Sequence, residues 1–336
     1  MKVVMKDIAD ALGVSVVSVS KALNDLEGVS DRLRELIKNK ALEMGYRGVV
    51  MKNAKPSKLF NIGVVIPERF ISKANNPQDF YLEFFQVITT YNQQNNYNTM
   101  LYILSEDDED QLIVPNMISE KKVDAVIFLA ELKSSYLSFI KTLSTPKVFL
   151  DFFGKSVDID SVTTDNYTGS YELTLSLINH GHQEIGFVGN IAATTSIQDR
   201  FLGFQKALFE HNIRFNPNYL LIDRDEHGKF IDIELPEKLP TSFVANSDRA
   251  AYELIKQLKQ KGYQIPEDVS IVGFDNDMYS KLSNPKLTTV EVAKQSMVQT
   301  ACDFIYKKID DEKIKLGKIM IKGHLIQRQS IKDKNK

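Results

Sequence analysis

From Phe60 onward the sequence alternates short apolar runs with helical stretches, and this alternation narrows the choice of fold more than any other feature. The runs FNIGVVI, NTMLYIL, VDAVIFL, KVFLD, IGFVG, TSFVAN and VSIVGFD are rich in β-branched and aromatic residues and almost wholly apolar. Runs of that kind read as strands buried on both faces. Helical patterning over 78–95, 135–143, 166–180, 197–211 and 248–262 lies between them, so the chain reads as successive βαβ units with parallel sheets. Two blocks of such units predict a bilobed α/β body. Ligands of open α/β sheets gather beyond the carboxyl ends of the strands, which makes the cleft between lobes the expected site. At 336 residues the chain also exceeds what one hydrophobic core usually serves.

The first 47 residues obey a different pattern. In MKDIADALGVSVVSVSKALN, Ile8, Ala9 and Leu12 share one helical stripe before Gly13-Val14-Ser15 interrupts it and a second pattern starts. This predicts two short helices and a tight turn, with Gly13 supplying backbone freedom and the Ser15 hydroxyl capping the second helix. Val14, Val19 and Leu23 are expected to pack inward, leaving Val16, Val17, Ser18 and Lys21 facing out. A third helix is expected after Ser30-Asp31, with Leu33, Leu36, Ile37, Ala41 and Met44 as its buried stripe and Gly45 as its end. A plain three-helix packing module and a DNA-binding helix-turn-helix both fit this periodicity.

The strings GVSVVSVSKALN and VSDRLRELIKNKALEMGYR closely resemble the head of the LacI family of bacterial transcription regulators. The resemblance implies that Val16, Val17 and Lys21 read the major groove of double-stranded operator DNA. Ser15, Ser18, Ser20 and Asn24 would contact or frame phosphates, and Tyr46 and Arg47 complete the expected DNA-binding set. Three positions depart from the family. Val4 replaces a hydroxyl cap; Val17 offers an apolar side chain suited to a thymine methyl; Lys21 replaces an arginine and loses its planar fork. Residues 48–59, with Pro56, read as a linker. The family's alanine–arginine–leucine hinge pattern is missing there. Either Val50 or Met51 serves as a minor-groove wedge, or the operator is bent less, while Lys52, Lys55 and Lys58 can meet phosphates.

The body resembles the family's effector domain, itself similar to periplasmic sugar-binding proteins. VTTDN at 162–166, HGHQEIGFVG at 180–189, DRFLGFQKAL at 199–208, IPEDVSIVGFDN at 265–276, NPKLTTV at 284–290 and HLIQRQS at 324–330 carry the likeness. The implied fold is an all-α helix-turn-helix head, residues 1–47, joined to a bilobed periplasmic-binding-protein-like effector domain over 60–331 with two parallel-sheet, Rossmann-like lobes. The N-lobe would span about 60–162 and 293–321 and the C-lobe about 163–290 and 322–331, with crossings near 163, 291 and 322. Asp151, Phe152, Arg200, Ser247, Asp248, Asp275, Phe80 and Tyr81 stand near strand ends and match the family's effector contacts. Carboxylates, one arginine and aromatic rings suit sugar hydroxyls and the C–H face of a sugar ring. Helix caps and inter-lobe ion pairs are the alternative roles. Val292 and Lys294 stand where a glutamine and an aromatic are frequent.

The implied protein is a cytoplasmic homodimer on a pseudo-palindromic operator, a repressor of carbohydrate-utilisation genes controlled by a sugar or sugar derivative. Two heads are expected because one short recognition helix reads too few base pairs. Charge agrees: residues 1–60 hold 11 Lys/Arg against 7 Asp/Glu, whereas the remainder holds 31 against 37, so only the head suits a polyanion. The lone Cys302 excludes an internal disulfide and any cysteine-rich zinc module. No phosphate-loop, GxGxxG or GxSxG string is present, so neither catalysis nor a cofactor is expected. The alternatives are an α/β enzyme or a stand-alone sugar-binding module with an incidental helical N-terminus. His180-Gly181-His182 reads as a helix end rather than a metal pair. The acidic run 106–110 reads as a solvated helix start, and the amide-rich 91–98 as a helix C-terminus. No apolar run approaches the ~20 residues of a membrane span.

Overall fold

The computed structural model describes residues 3–24, 26–44, 46, 60–71, 80–225 and 228–336. The chain divides into two compact units, Met1–Leu59 and Phe60–Lys336.

The first unit holds α1 (Met5–Leu12), α2 (Val16–Leu23) and α3 (Asp31–Glu43). Gly13 ends α1 in the left-handed region at φ 64°, and the Ser15 hydroxyl accepts the Ser18 N–H at 3.0 Å. Val4 offers no hydroxyl, and the Asp7 carboxylate instead accepts the Val4 N–H at 2.8 Å. Ile8, Ala9, Val19, Ala22, Leu23, Ile37 and Ala41 form the core, with Leu33 and Met44 packed against it. Leu36 departs from expectation and is 54% exposed. At 100° per residue it lies well off the stripe that Leu33, Ile37, Ala41 and Met44 share. Gly45 and the linker 48–59 lie outside the described residues.

In the second unit β1 (Asn61–Pro67) leads through α4 (Phe80–Gln94), β2 (Asn98–Leu104), α5 (Glu106–Asp110), α6 (Asn116–Ser119), β3 (Ala125–Leu129), α7 (Ser134–Ile140) and β4 (Lys147–Leu150) to β5 (Ser161–Thr164). The chain then runs α8 (Asn166–Asn179), β6 (Ile185–Val188), α9 (Thr195–Glu210), β7 (Leu220–Leu221), β8 (Ser242–Ala245), α10 (Asp248–Gln260), β9 (Ser270–Val272), α11 (Met278–Leu282) and β10 (Thr289–Glu291). It returns as α12 (Lys294–Asp310), β11 (Lys318–Ile321) and β12 (His324–Ile326). One sheet has the order β11-β5-β4-β3-β1-β2 and the other β7-β6-β8-β9, both parallel throughout. The chain passes between lobes after Thr164, after Glu291 and after Ile321, beside the antiparallel β10–β12 pair. The first lobe thus runs two residues past the expected 162, because β5 pairs with β11 through Thr164.

β2, expected to be buried on both faces, is an edge strand, with Leu101 and Ile103 38% and 40% exposed. Helices α8 and α9 meet at a glycine: a Cβ on Gly203 would fall 2.0 Å from the Tyr167 carbonyl oxygen. His180 Nδ1 lies 2.6 Å from the Ser176 carbonyl, and His182 lies between Thr241 Oγ1 and the Lys332 carbonyl. Among the described residues no group of His, Cys, Asp and Glu could hold a metal ion. The acidic run does open a helix, capped by Ser105, but Glu109 is fully buried. Its carboxylate pairs with Arg69 and accepts the Lys133 N–H, so it is not a solvated charge.

Candidate functional site

A cleft of about 940 Å³ opens between the two sheets at the carboxyl ends of their strands. Asp151 follows β4 and Asp275 follows β9, one from each lobe, and both line it. Both hold φ in the left-handed region, at 66° and 109°. Non-glycine residues in that region are strained and collect at binding sites, where the surrounding fold fixes them.

Arg200 crosses behind Asp275 from α9. Its Nε donates to Asn166 Oδ1 at 2.7 Å, its guanidinium donates to the Asn246 carbonyl, and Nη2 reaches Asp275 Oδ1 at 3.2 Å. The guanidinium also lies 3.7 Å from the Phe274 ring centroid. Each guanidinium nitrogen has a partner, so the arginine is positioned before any ligand arrives. Phe80 and Tyr81 open α4 with ring centroids 5.1 Å apart, and Tyr81 donates its hydroxyl to Asp151 Oδ2 at 3.1 Å. Lys294 pairs with Glu83 and lies over the Phe80 ring at 4.3 Å, on the position where the family often places an aromatic.

Two expected contacts do not reach the cleft. Phe152 turns into the N-lobe core and stacks on Phe149 at 4.4 Å. The left-handed backbone at Asp151 directs consecutive side chains apart, so only Asp151 faces the opening. Asp248 is fully buried, accepting from the Asp277 N–H at 3.0 Å and the Thr289 hydroxyl at 2.7 Å, and it ties α10 to the strand ends. Ser247 lines the cleft, but its hydroxyl is engaged by the Ala250 N–H. Sequence reasoning missed Arg69, Arg224, Phe230, Arg249, Asp277 and Tyr279, which also line the cleft. Arg224 and Phe230 come from the segment after β7, which has no strand or helix periodicity to mark its direction.

Burial dominates the electrostatics. It pushes the Asp151 carboxyl up to about 7 against the pull of Arg200, and it raises Asp275 as well. A carboxyl raised in the fold and ordinary in the unfolded chain lowers stability as pH climbs from about 4 to about 7. Asp151→Asn keeps an acceptor for Tyr81 and tolerates left-handed backbone. It should therefore stabilise the ligand-free chain by on the order of 2 kcal/mol at about pH 8 and by roughly a quarter of that at about pH 4.5. Thermal unfolding at both pH values checks this; an equal gain at both would show that the charge is not the cause.

In the head, Val16 and Val17 are 44% and 64% exposed at the start of α2. Ser15 and Ser18 hydroxyls lie 2.9 Å apart, and Asn24 donates to the Ser20 carbonyl at 2.7 Å. Lys21 runs along the Gly28 turn, where a Cβ would stand 3.0 Å from its Nζ. Tyr46 is half-buried against the head core, and Arg47 lies outside the described residues. Val16 and Val17 thus stand exposed at the capped start of α2, outside the head core.

Residues 4–48 match the model of bacterial regulatory proteins of the lacI family, and residues 175–331 match that of a periplasmic binding protein-like domain. The transcriptional regulator RegA of Clostridium saccharobutylicum is 29% identical, over 97% of this chain and 98% of its own. The transcriptional repressor PurR of Aliivibrio fischeri is 26% identical, over 99% of each. The solved lac repressor dimer bound to operator and the anti-inducer ONPF has TM-score 0.68 at 20% identity, covering 99% of this chain and 100% of its own. The CelR–cellobiose complex has TM-score 0.68 at 18% identity, covering 98% and 100%. Among the described residues no helix is long and apolar enough to cross a membrane. With a lacI-family head matched at one end, a binding-protein-like domain at the other and regulators similar along their full length, the chain is a DNA-binding transcriptional regulator with a lacI-family head, not an enzyme.

Proposed function

We propose that this regulator is a cytoplasmic repressor, dimeric on a pseudo-palindromic operator, whose DNA affinity is set by a carbohydrate or carbohydrate derivative bound between the lobes. One observation carries the reading. Asp151 and Asp275 face a common cleft from opposite sheets, with Arg200 fixed behind one and the Phe80–Tyr81 pair beside the other. Carboxylates and a guanidinium suit vicinal hydroxyls, and the rings suit a sugar's C–H face. Solved neighbours of the same fold hold cellobiose in one case and ribose in another. Because both lobes contribute, a ligand that prefers one lobe arrangement shifts the population toward it, and operator affinity follows by linkage.

Calorimetry of the full chain against neutral and derivatised mono- and disaccharides tests the effector. A saccharide should give a saturable heat and change retardation of an operator selected from random DNA. No heat from any saccharide, together with binding of a nicotinamide cofactor, would overturn the reading.

A further inference from the structure

Arg249 stands in the first turn of α10 and lines the cleft. A cation there faces the positive end of the helix, the wrong end for it. Among the described residues no carboxylate pairs with it, and its Nε is buried without a hydrogen-bond partner. What holds it is aromatic: its guanidinium lies 3.9 Å from the Phe230 centroid and 5.9 Å from that of Tyr279. Arg224 stacks on the same Phe230 ring at 4.5 Å, but Asp223 neutralises it at 2.7 Å. Lys229, beside them on the cleft wall, is exposed and has no ion pair among the described residues. Stacking uses the guanidinium face and leaves its in-plane N–H donors available, the geometry that grips a planar or tetrahedral oxyanion.

Two acids of this lobe that line the cleft with Arg249 are already engaged. Asp225 accepts the Lys229 N–H and Asp277 accepts the Tyr279 N–H, both through backbone donors. Burial pushes the Asp277 carboxyl up, which lessens its repulsion of an incoming anion.

We infer that Arg249, held on Phe230 and flanked by Lys229, forms an oxyanion subsite, so that the effector is a sugar carrying a phosphate or carboxylate group rather than a neutral sugar. This deepens the effector reading and rests on it: hydroxyls meet Asp151, Arg200 and Asp275, and the anionic group meets Arg249.

The test uses the full chain, Arg249→Gln and Arg249→Lys. Inorganic phosphate, compared with chloride at matched ionic strength, should raise the wild-type thermal midpoint by about 3 °C or more. Arg249→Gln should lose most of that shift and Arg249→Lys should keep part of it. In calorimetry, hexose 6-phosphates or hexuronates should bind the wild type at least about tenfold tighter than the parent hexoses, and Arg249→Gln should close the gap. Whether the phosphate or the uronate series binds decides the source of the charge. Equal phosphate shifts in wild type and Arg249→Gln overturn the subsite. Neutral hexoses binding without an Arg249-dependent phosphate shift would retain the sugar reading and remove this inference. An Arg249-dependent phosphate shift with no saccharide bound would do the reverse.

Discussion

Arg200→Ala is expected to destabilise the body by about 3–5 kcal/mol, the range for removing one partner of a buried ion pair, and to abolish the effector heat. The loss is large because nothing replaces the guanidinium. Asp275, whose side chain is 12% exposed, would lose the partner 3.2 Å away that offsets the burial of its carboxyl group. Asn166 Oδ1 and the Asn246 carbonyl would each lose a donor, and the Phe274 face would lose its stacked cation. The chain has no tryptophan, so urea unfolding followed by circular dichroism is the measurement. A second variant separates orphaned charge from lost packing. Arg200→Ala combined with Asp275→Asn should recover on the order of 1–2 kcal/mol, because the uncompensated carboxylate is gone. No recovery would place the whole effect in packing against Phe274. A loss of Arg200 within ~0.5 kcal/mol of wild type would mean that water already screens the pair.

Arg200 also shows how far the sequence could be read. It stands in the second turn of α9, the helix after IGFVG, and strand-end logic placed it, Asp151 and Asp275 at one cleft without knowledge of any contact. That logic works because parallel strands deliver their carboxyl ends to one edge of the sheet, so the residue after each strand is positioned by topology alone. It fails one residue further on. Phe152 and Asp248 each stand only one residue beyond Asp151 and Ser247, yet backbone direction turns one into the N-lobe core and buries the other at the start of α10. A positive φ at Asp151 leaves no trace in a single sequence, since an aspartate adopts it without the glycine that would advertise it. Arg249 and Phe230 were invisible for a different reason. Their contact joins a helix start to a segment without periodicity, and only the fold brings ring and cation together. The head was legible almost residue by residue, because a capped turn between two short helices is local. Among its described residues Leu36 departs, an apolar residue counted into a stripe it does not share.

Val17→Asp should weaken operator binding by about 100-fold or more, near 2.7 kcal/mol, while leaving the head folded. Val17 is 64% exposed on the first turn of α2 and absent from the head core, so its replacement falls among surface changes of about 0.5 kcal/mol or less in stability. An aspartate at the helix start even suits the dipole, which makes unfolding a poor explanation for any loss. The effect on DNA has two sources. A carboxylate set among phosphates opposes the electrostatic term that supplies most affinity, and an apolar contact to a thymine methyl disappears. Val17→Ala separates them, removing the methyl contact without adding charge. Its loss should be about 1–3 kcal/mol and confined to the preferred sequence. Lys21→Ala should likewise erode preference for the selected operator over random DNA. An equal loss on both would make Lys21 a phosphate contact, consistent with its lie along the Gly28 turn. Retardation of the selected operator and of random duplex at two salt concentrations distinguishes these outcomes, because a lost phosphate contact lowers the salt slope and a lost base contact does not. If Val17→Asp bound operator as the wild type does, α2 would not be the helix in the groove.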